Sequence, residues 1–216
     1  MKLYDSKLSP YSSRVRLQLY FKNLSVEVID VPSGGSHTAE YAKMNPLEKI
    51  PTLEDSGFFL PESSAIGEYL EDTGAGRSLR PESPKERARM RVIYNVADQY
   101  ILTPLFELFE QVNPATRNPK VVDEQLTELR KALSGLEKFL AGGKYALGSD
   151  PSLADCALVP ALFFVSAVSS GLGQGDLLAA TPKVKAYYSD VQSDPSVQRL
   201  LAELGTALVE YMKQAS

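Results

Sequence analysis

"KIPTLEDSGFFLPESSAIGEYLEDTG", residues 49–74, carries two strand-like runs, a tight turn and a helix in immediate succession. "KIPTLED" and "GFFLPES" read as two strands joined by a turn around Asp55, Ser56 and Gly57. Pro51 sits near the start of the first, where a strand tolerates proline. "SAIGEYLEDT" reads as a helix that stops at Gly74, a favoured helix-ending residue. Upstream, "KLYD" (2–5) is a short strand and "SVEVIDV" (25–31), alternating and β-branched, a second. Between them Tyr11, Val15 and Leu19 recur at helical spacing, with Arg14 and Gln18 on other faces. A turn-rich loop and a short helix, "HTAEYAKMN" (37–45), precede Lys49. The order is therefore βαβ, then α, then ββα.

Downstream, "GAGRSLRPESP" (74–84) has the Gly, Pro and Ser of a linker, and no convincing strand follows it. "KERARMRVIYNVADQYILTPLFELFEQV" (85–112) reads as a long helix, kinked or broken at Pro104. Leu126, Leu129, Leu133, Leu136 and Leu140 form an apolar stripe that ends at Gly142 and Gly143. "SLADCALVPALFFVSAV" (152–168) is apolar all round, as a helix inside a helical core is. Val197, Leu200, Leu201, Leu204 and Leu208 mark another amphipathic helix. The fold class is α/β plus all-α, with an α/β domain over 1–76, a linker over 77–86 and a helical domain over 87–216.

The composition narrows the function. With 44% hydrophobic and 23% charged residues over 216 positions, the chain has enough apolar mass for a real core. Lys+Arg 23 against Asp+Glu 27 gives a net charge of -4 without a basic cluster, which argues against nucleic acid. No signal peptide is visible in "MKLYDSKLSP", and the nearly apolar run Cys156–Val168 is short for a bilayer span, so a cytoplasmic protein without membrane partners is expected. One cysteine, Cys156, excludes an internal disulfide, and one histidine, His37, excludes a dedicated Cys/His metal site. His37, in the loop "PSGGSHTAEY", reads as an exposed loop residue rather than a member of a catalytic triad.

Three polar positions stand at predicted helix starts. Ser9 followed by Pro10 is a favoured N-cap and first turn. Ser63, with Glu62 before it, reads as the cap of the helix that follows the fourth strand. Ser152 and Asp155 have the spacing of a capping box, a folding device, and Cys156 beside them reads as a buried small hydrophobe.

"SPYSSRVRLQL" (9–19), "NPLEKIPTL" (45–53), "PESSAIGEYLED" (61–72) and "DPSLADCALVP" (150–160), in this order, make the whole chain resemble the cytosolic glutathione transferases. Ser-Pro-aromatic followed by Arg-Val is most similar to the serine-type tau class, with some likeness to the zeta class in "RVR" and "NPLEKIPTL". The zeta signature of paired serines followed by Cys and Trp is absent, since Pro10 and Tyr11 occupy that stretch and the chain has no Trp.

The resemblance implies a thioredoxin-like N-terminal domain that binds glutathione and a helical bundle domain that helps to form the pocket for an electrophile. It implies that Ser9 donates a hydrogen bond to the glutathione thiolate at a helix N-terminus, with Ser12 and Ser13 as alternatives. Pro51 would be cis, turning the N–H and C=O of Ile50 towards the cysteinyl part, and Lys49 would meet the glycyl carboxylate. Ser63 would take the α-carboxylate and Glu62 the α-ammonium of the γ-glutamyl end. Tyr11 would border the substrate pocket, and Asp98 would reach glutathione across a homodimer interface. Glutathione would be the co-substrate, with no metal or prosthetic group, and the reaction its conjugation to an apolar electrophile. Alternatives on the same fold are a glutathione-dependent isomerase, an ether- or halide-cleaving transferase, and an adaptor that binds a protein partner.

Overall fold

A computed structural model describes residues 1–31 and 34–214. The chain forms two compact units, one of Met1–Leu79 together with the segment from Pro195 onward, the other of Arg80–Asp194.

In the first unit, β1 (Lys2–Asp5), β2 (Glu27–Asp30), β3 (Thr52–Asp55) and β4 (Phe58–Pro61) form one mixed sheet in the order β2-β1-β3-β4. β1 runs parallel to β2 and antiparallel to β3, which runs antiparallel to β4. The register aligns Leu3 with Leu53 and Leu53 with Leu60. Side chains alternate across a strand, so this row faces one side, where Val15 and Leu19 of α1 (Pro10–Phe21) and Ile66 and Leu70 of α3 (Ser63–Asp72) complete the core. On the opposite side Tyr41 of α2 (Ala39–Met44) meets the Tyr4 ring edge-on, centroids 6.2 Å apart. This is the expected βαβ, α, ββα order, and α3 ends as read, at Thr73 and a left-handed Gly74.

Helix α1 is more enclosed than its pattern suggests. Arg14, Arg16 and Gln18 are buried because α3 packs on one side and the C-terminal helix, α9 (Pro195–Gln214), on another. Gln18 and Lys22 find partners on α3 and beyond it. Gln18 donates to Gly67 O at 2.8 Å and to Glu71 Oε1 at 3.1 Å, and Lys22 pairs with Glu71 at 3.0 Å. Lys22 also donates to Arg77 O, while Glu71 accepts from Leu79 N. Residues 77–79 are thereby tied to α1 and α3. Gly76, at φ 69°, approaches so closely that a Cβ would lie 2.4 Å from Lys22 O.

The second unit is helical: α4 (Pro84–Asn95), α5 (Leu102–Glu110), α6 (Pro119–Leu136), α7 (Leu153–Leu172) and α8 (Pro182–Val191). α4 and α5 continue through a π-helical stretch, Val96–Ile101, so the long helix is not broken at Pro104; it widens one turn earlier. Pro104 has no N–H to offer the preceding turn, and a π-bulge accommodates that loss. The leucine stripe is buried as expected, but α6 ends at Leu136, six positions before Gly142. α7 reaches the length of a bilayer span by composition, yet 78% of its most apolar window is buried in the helical core. At its start the Asp155 carboxylate accepts from Ser152 N, Ser152 Oγ, Ala146 N and Tyr187 Oη at 2.8–3.0 Å. Burial pushes this carboxyl up from its ordinary range, and the four donors oppose the shift.

Candidate functional site

Three strands bring their ends to one edge of the sheet. Tyr4 pairs with Thr52 and Thr52 with Pro61. The segment leaving β1 (6–9), the residue entering β3 (Pro51) and the residue leaving β4 (Glu62) are therefore neighbours.

Ser9 caps α1 in extended conformation, its Oγ accepting from Ser12 N at 3.2 Å, and Pro10 opens the helix. A hydroxyl that accepts from its own helix keeps its proton to donate. Ser12 and Ser13 differ: both are fully buried. Ser12 Oγ accepts from Ser6 N at 3.3 Å, and Ser13 Oγ donates to Ser9 O at 2.7 Å while accepting from Arg16. Tyr11, half-buried in the first turn, has the Arg14 guanidinium 4.8 Å from its ring centroid.

The Ile50–Pro51 peptide is cis. Lys49 is exposed, but its carbonyl accepts from Tyr41 Oη at 2.9 Å and Asn45 Nδ2 at 2.7 Å. The same two side chains hold Thr52 Oγ1, at 2.8 and 3.0 Å, so the backbone on both sides of the cis bond is fixed. Burial pushes the Tyr41 phenol up, which keeps it a donor at neutral pH. Sequence reasoning missed both residues; Asn45 before Pro46 was the available signal, since an Asn there closes an Asx turn with Leu47 N, at 2.9 Å.

Glu62, not Ser63, occupies the cap position of α3. It has φ 69° and ψ 111°, makes no side-chain capping bond, and is exposed. Ser63 is the first helical residue and is buried because the preceding turn tucks it against α1, where Arg14 Nη1 donates to its Oγ at 3.4 Å. A non-glycine residue in this region of φ costs on the order of 1–3 kcal/mol and concentrates at functional sites. Neither α1 nor α3 has an acidic residue in its first turn, so the partial positive charge of each N-terminus is open to an anion. Asp98 belongs to the second unit, half-buried on its π-helical stretch. Among the described residues no three His, Cys, Asp or Glu side chains gather as metal ligands.

Comparison with known proteins gives this arrangement a family. Residues 3–78 match the family model of the glutathione S-transferase N-terminal domain, and residues 119–190 that of the C-terminal domain. A probable maleylacetoacetate isomerase 2 of Drosophila melanogaster is 34% identical, covering 74% of this chain and 72% of that protein. Glutathione S-transferase 3 of Zea mays is 31% identical over 94% of both chains. Among solved structures, glutathione S-transferase-I bound with lactoylglutathione is 30% identical with a TM-score of 0.78, covering 94% of this chain and 98% of that one. The sheet with α1, α2 and α3 is the thioredoxin-like half of that fold, the second unit carries its helical half, and the chain belongs to the glutathione S-transferase family.

Proposed function

We propose that the protein binds glutathione at the shared edge of β1, β3 and β4, ionises its thiol through Ser9, and adds the thiolate to an apolar electrophile. The observation that carries this is the register Tyr4–Thr52–Pro61, which gathers a capped helix start, a cis-proline and the strained Glu62. Ser63 takes the α-carboxylate, with the Arg14 charge behind it, and Glu62 takes the α-ammonium. Ile50 pairs with the cysteinyl backbone and Lys49 meets the glycyl carboxylate. A charge-assisted bond from Ser9 contributes about 1.5–3 kcal/mol, enough to lower a thiol pKa by about one to two units. Positioning and thiolate stabilisation then do the chemistry without metal or prosthetic group.

The protein acts as a cytoplasmic homodimer, with Tyr11 at the substrate pocket and Asp98 reaching glutathione from the neighbouring subunit. Likeness to the Drosophila isomerase supports a second reading, a glutathione-dependent isomerase on the same site. Retention on glutathione-agarose, followed by assays with chlorodinitrobenzene, an epoxide, a peroxide, a β-aryl ether and maleylacetoacetate, tests both. Turnover of maleylacetoacetate alone favours the isomerase. No binding to glutathione overturns the enzyme reading in favour of an adaptor.

A further inference from the structure

Arg16 has no place in the site just described, yet it lies directly beneath it. Its guanidinium is buried, 4% exposed, one turn beyond Ser12. Nη2 donates to Lys7 O at 2.7 Å and to Ser13 Oγ at 3.0 Å, and that hydroxyl donates in turn to Ser9 O at 2.7 Å. Nη1 meets Glu203 Oε2 of α9 at 3.3 Å, and Nε lies 3.6 Å from Asp5 Oδ1. The two Nη2 bonds thus grip the loop between β1 and α1 at Lys7 directly and at Ser9 through one relay. Glu203 is itself held: both its oxygens accept from Tyr20 Oη at 2.9 Å, and Arg199 Nε lies at 3.2 Å. Arg199 also stacks over the Tyr20 ring, 3.9 Å from the centroid.

We propose that Arg16, anchored by Glu203 on the C-terminal helix, is a positioning residue that sets the direction of the Ser9 hydroxyl and hence the acidity of bound glutathione. This rests on the reading of Ser9 as the thiol's hydrogen-bond donor. The bond that orients the hydroxyl from within its own helix is long, 3.2 Å from Ser12 N, whereas the relay to the Ser9 carbonyl is short, 2.7 Å. Main-chain anchoring therefore fixes the Cα–Cβ vector of Ser9 more firmly than the cap bond fixes its rotamer. Packing alone does not call for an arginine between α1 and α9, because burying a guanidinium costs more than burying an aliphatic side chain of similar size. What the planar fork adds is simultaneous, directed donation to Lys7 O, Ser13 Oγ and Glu203, which a lysine ammonium does not reproduce. Burial, and then the Glu203 carboxylate, push the Tyr20 hydroxyl up to about 12, so it remains a donor to Glu203 throughout the working range. The groups facing Arg16 are Asp5, Glu203, the Lys7 carbonyl and the Ser13 hydroxyl, and none of them belongs to the proposed glutathione contacts.

The test is an ultraviolet titration of the thiol of bound glutathione, with kcat and KM for glutathione measured on chlorodinitrobenzene. Arg16→Lys should raise the thiol pKa by about half to one unit and lower kcat about three- to tenfold, leaving KM for glutathione within about twofold. Ser13→Ala and Glu203→Gln should move the same quantities in the same direction by less. On a Ser9→Ala background, Arg16→Lys should cause no further rise, because the hydroxyl it positions is gone. An unchanged thiol pKa in a folded Arg16→Lys variant, or in both Ser13→Ala and Glu203→Gln should Arg16→Lys fail to fold, overturns the positioning role and leaves Arg16 structural. If Ser9→Ala alone leaves the thiol pKa where it was, the reading of Ser9 itself has failed.

Discussion

Arg14 Nη1 reaches Ser63 Oγ at 3.4 Å, joining the second turn of α1 to the first turn of α3, two helices whose N-termini lie at the same edge of the sheet. Both side chains are buried, at 2% and 7% exposure, so the bond is not averaged away by water. Because Ser63 Oγ accepts from a cation, its proton is left to donate to an anion, and the cation adds its own attraction. Ser63→Ala should weaken glutathione binding by about 1–3 kcal/mol, and Arg14→Gln by a similar amount. The double variant should lose less than the sum, since the two act on one carboxylate. Calorimetry giving wild-type affinity for both single variants would remove the γ-glutamyl end from this position.

Glu62 separates strain from binding. At φ 69° a glycine is more comfortable than any L-residue, so Glu62→Gly should stabilise the fold by up to about 1 kcal/mol. The same change removes the carboxylate proposed to meet the α-ammonium and should weaken glutathione by about 1–3 kcal/mol. Denaturant melts and calorimetry on one variant thus carry opposite signs. Affinity that survives Glu62→Gly would make the strained residue a feature of the turn alone.

The sheet was legible because its signals are local. Leu3 and Leu53 alternate with more polar neighbours, Ser56 and Gly57 mark the turn, and Gly74 marks the end of α3. The capping box at Ser152 and Asp155 was legible for the same reason. Its further partners, Ala146 N and Tyr187 Oη, were not, since they come from separate stretches of chain. α8 carries its own local signals, Pro182 at its first turn and the spacing of Val184, Tyr187 and Val191. Arg14 and Gln18 read as lying off the apolar stripe of α1, and only the packing of α3 and α9 shows why they, and Arg16 with them, are buried. Glu62 could not be placed at the cap from sequence, because a positive φ at a non-glycine residue runs against every local preference.

Asp155 should matter to folding and not to chemistry. Asp155→Ala strands four donors inside the helical unit, so its cost should exceed the 0.5–2 kcal/mol or so of an ordinary cap, reaching about 3 kcal/mol or more. Turnover per folded molecule should be unchanged. A variant with the wild-type melting temperature and no activity would show Asp155 to be part of the site.

Exposed apolar side chains point to self-association. Val92, Tyr100 and Phe106 stand 39–60% exposed along α4, the π-helical stretch and α5, and Phe58 of the first unit is 53% exposed. Single exposed apolar residues are ordinary, but several large ones along one helical run suit an interface. The protein should run as a dimer in multi-angle light scattering at micromolar concentration, and Phe106→Lys or Phe58→Lys should shift it towards monomer. A wild-type monomer at that concentration defeats the proposal, and with it any contact of Asp98 across subunits.

Ser9 is a helix cap in the structure, and capping and thiol activation predict different consequences for two substitutions. Ser9→Ala loses the bond to Ser12 N, so about 1 kcal/mol of stability should go in either case. Only activation predicts that the thiol of bound glutathione also titrates closer to its free value, with turnover reduced and glutathione affinity nearly unchanged. Ser9→Cys places a thiol at the positive end of α1, where the macrodipole and unsatisfied N–H groups favour a thiolate. That thiolate should attack oxidised glutathione: the new S–S bond joins the protein sulfur to one half of the disulfide, the old S–S bond breaks, and the other half leaves as glutathione thiolate. The variant should therefore gain 305 Da or so of bound glutathione in its intact mass, reversible by dithiothreitol, and gain thiol-transfer activity while conjugation falls. Cys156, buried in α7, provides the internal control because wild-type protein carrying it should take up no adduct. An unshifted thiol titration in Ser9→Ala together with no adduct on Ser9→Cys would leave Ser9 as a helix cap and nothing more.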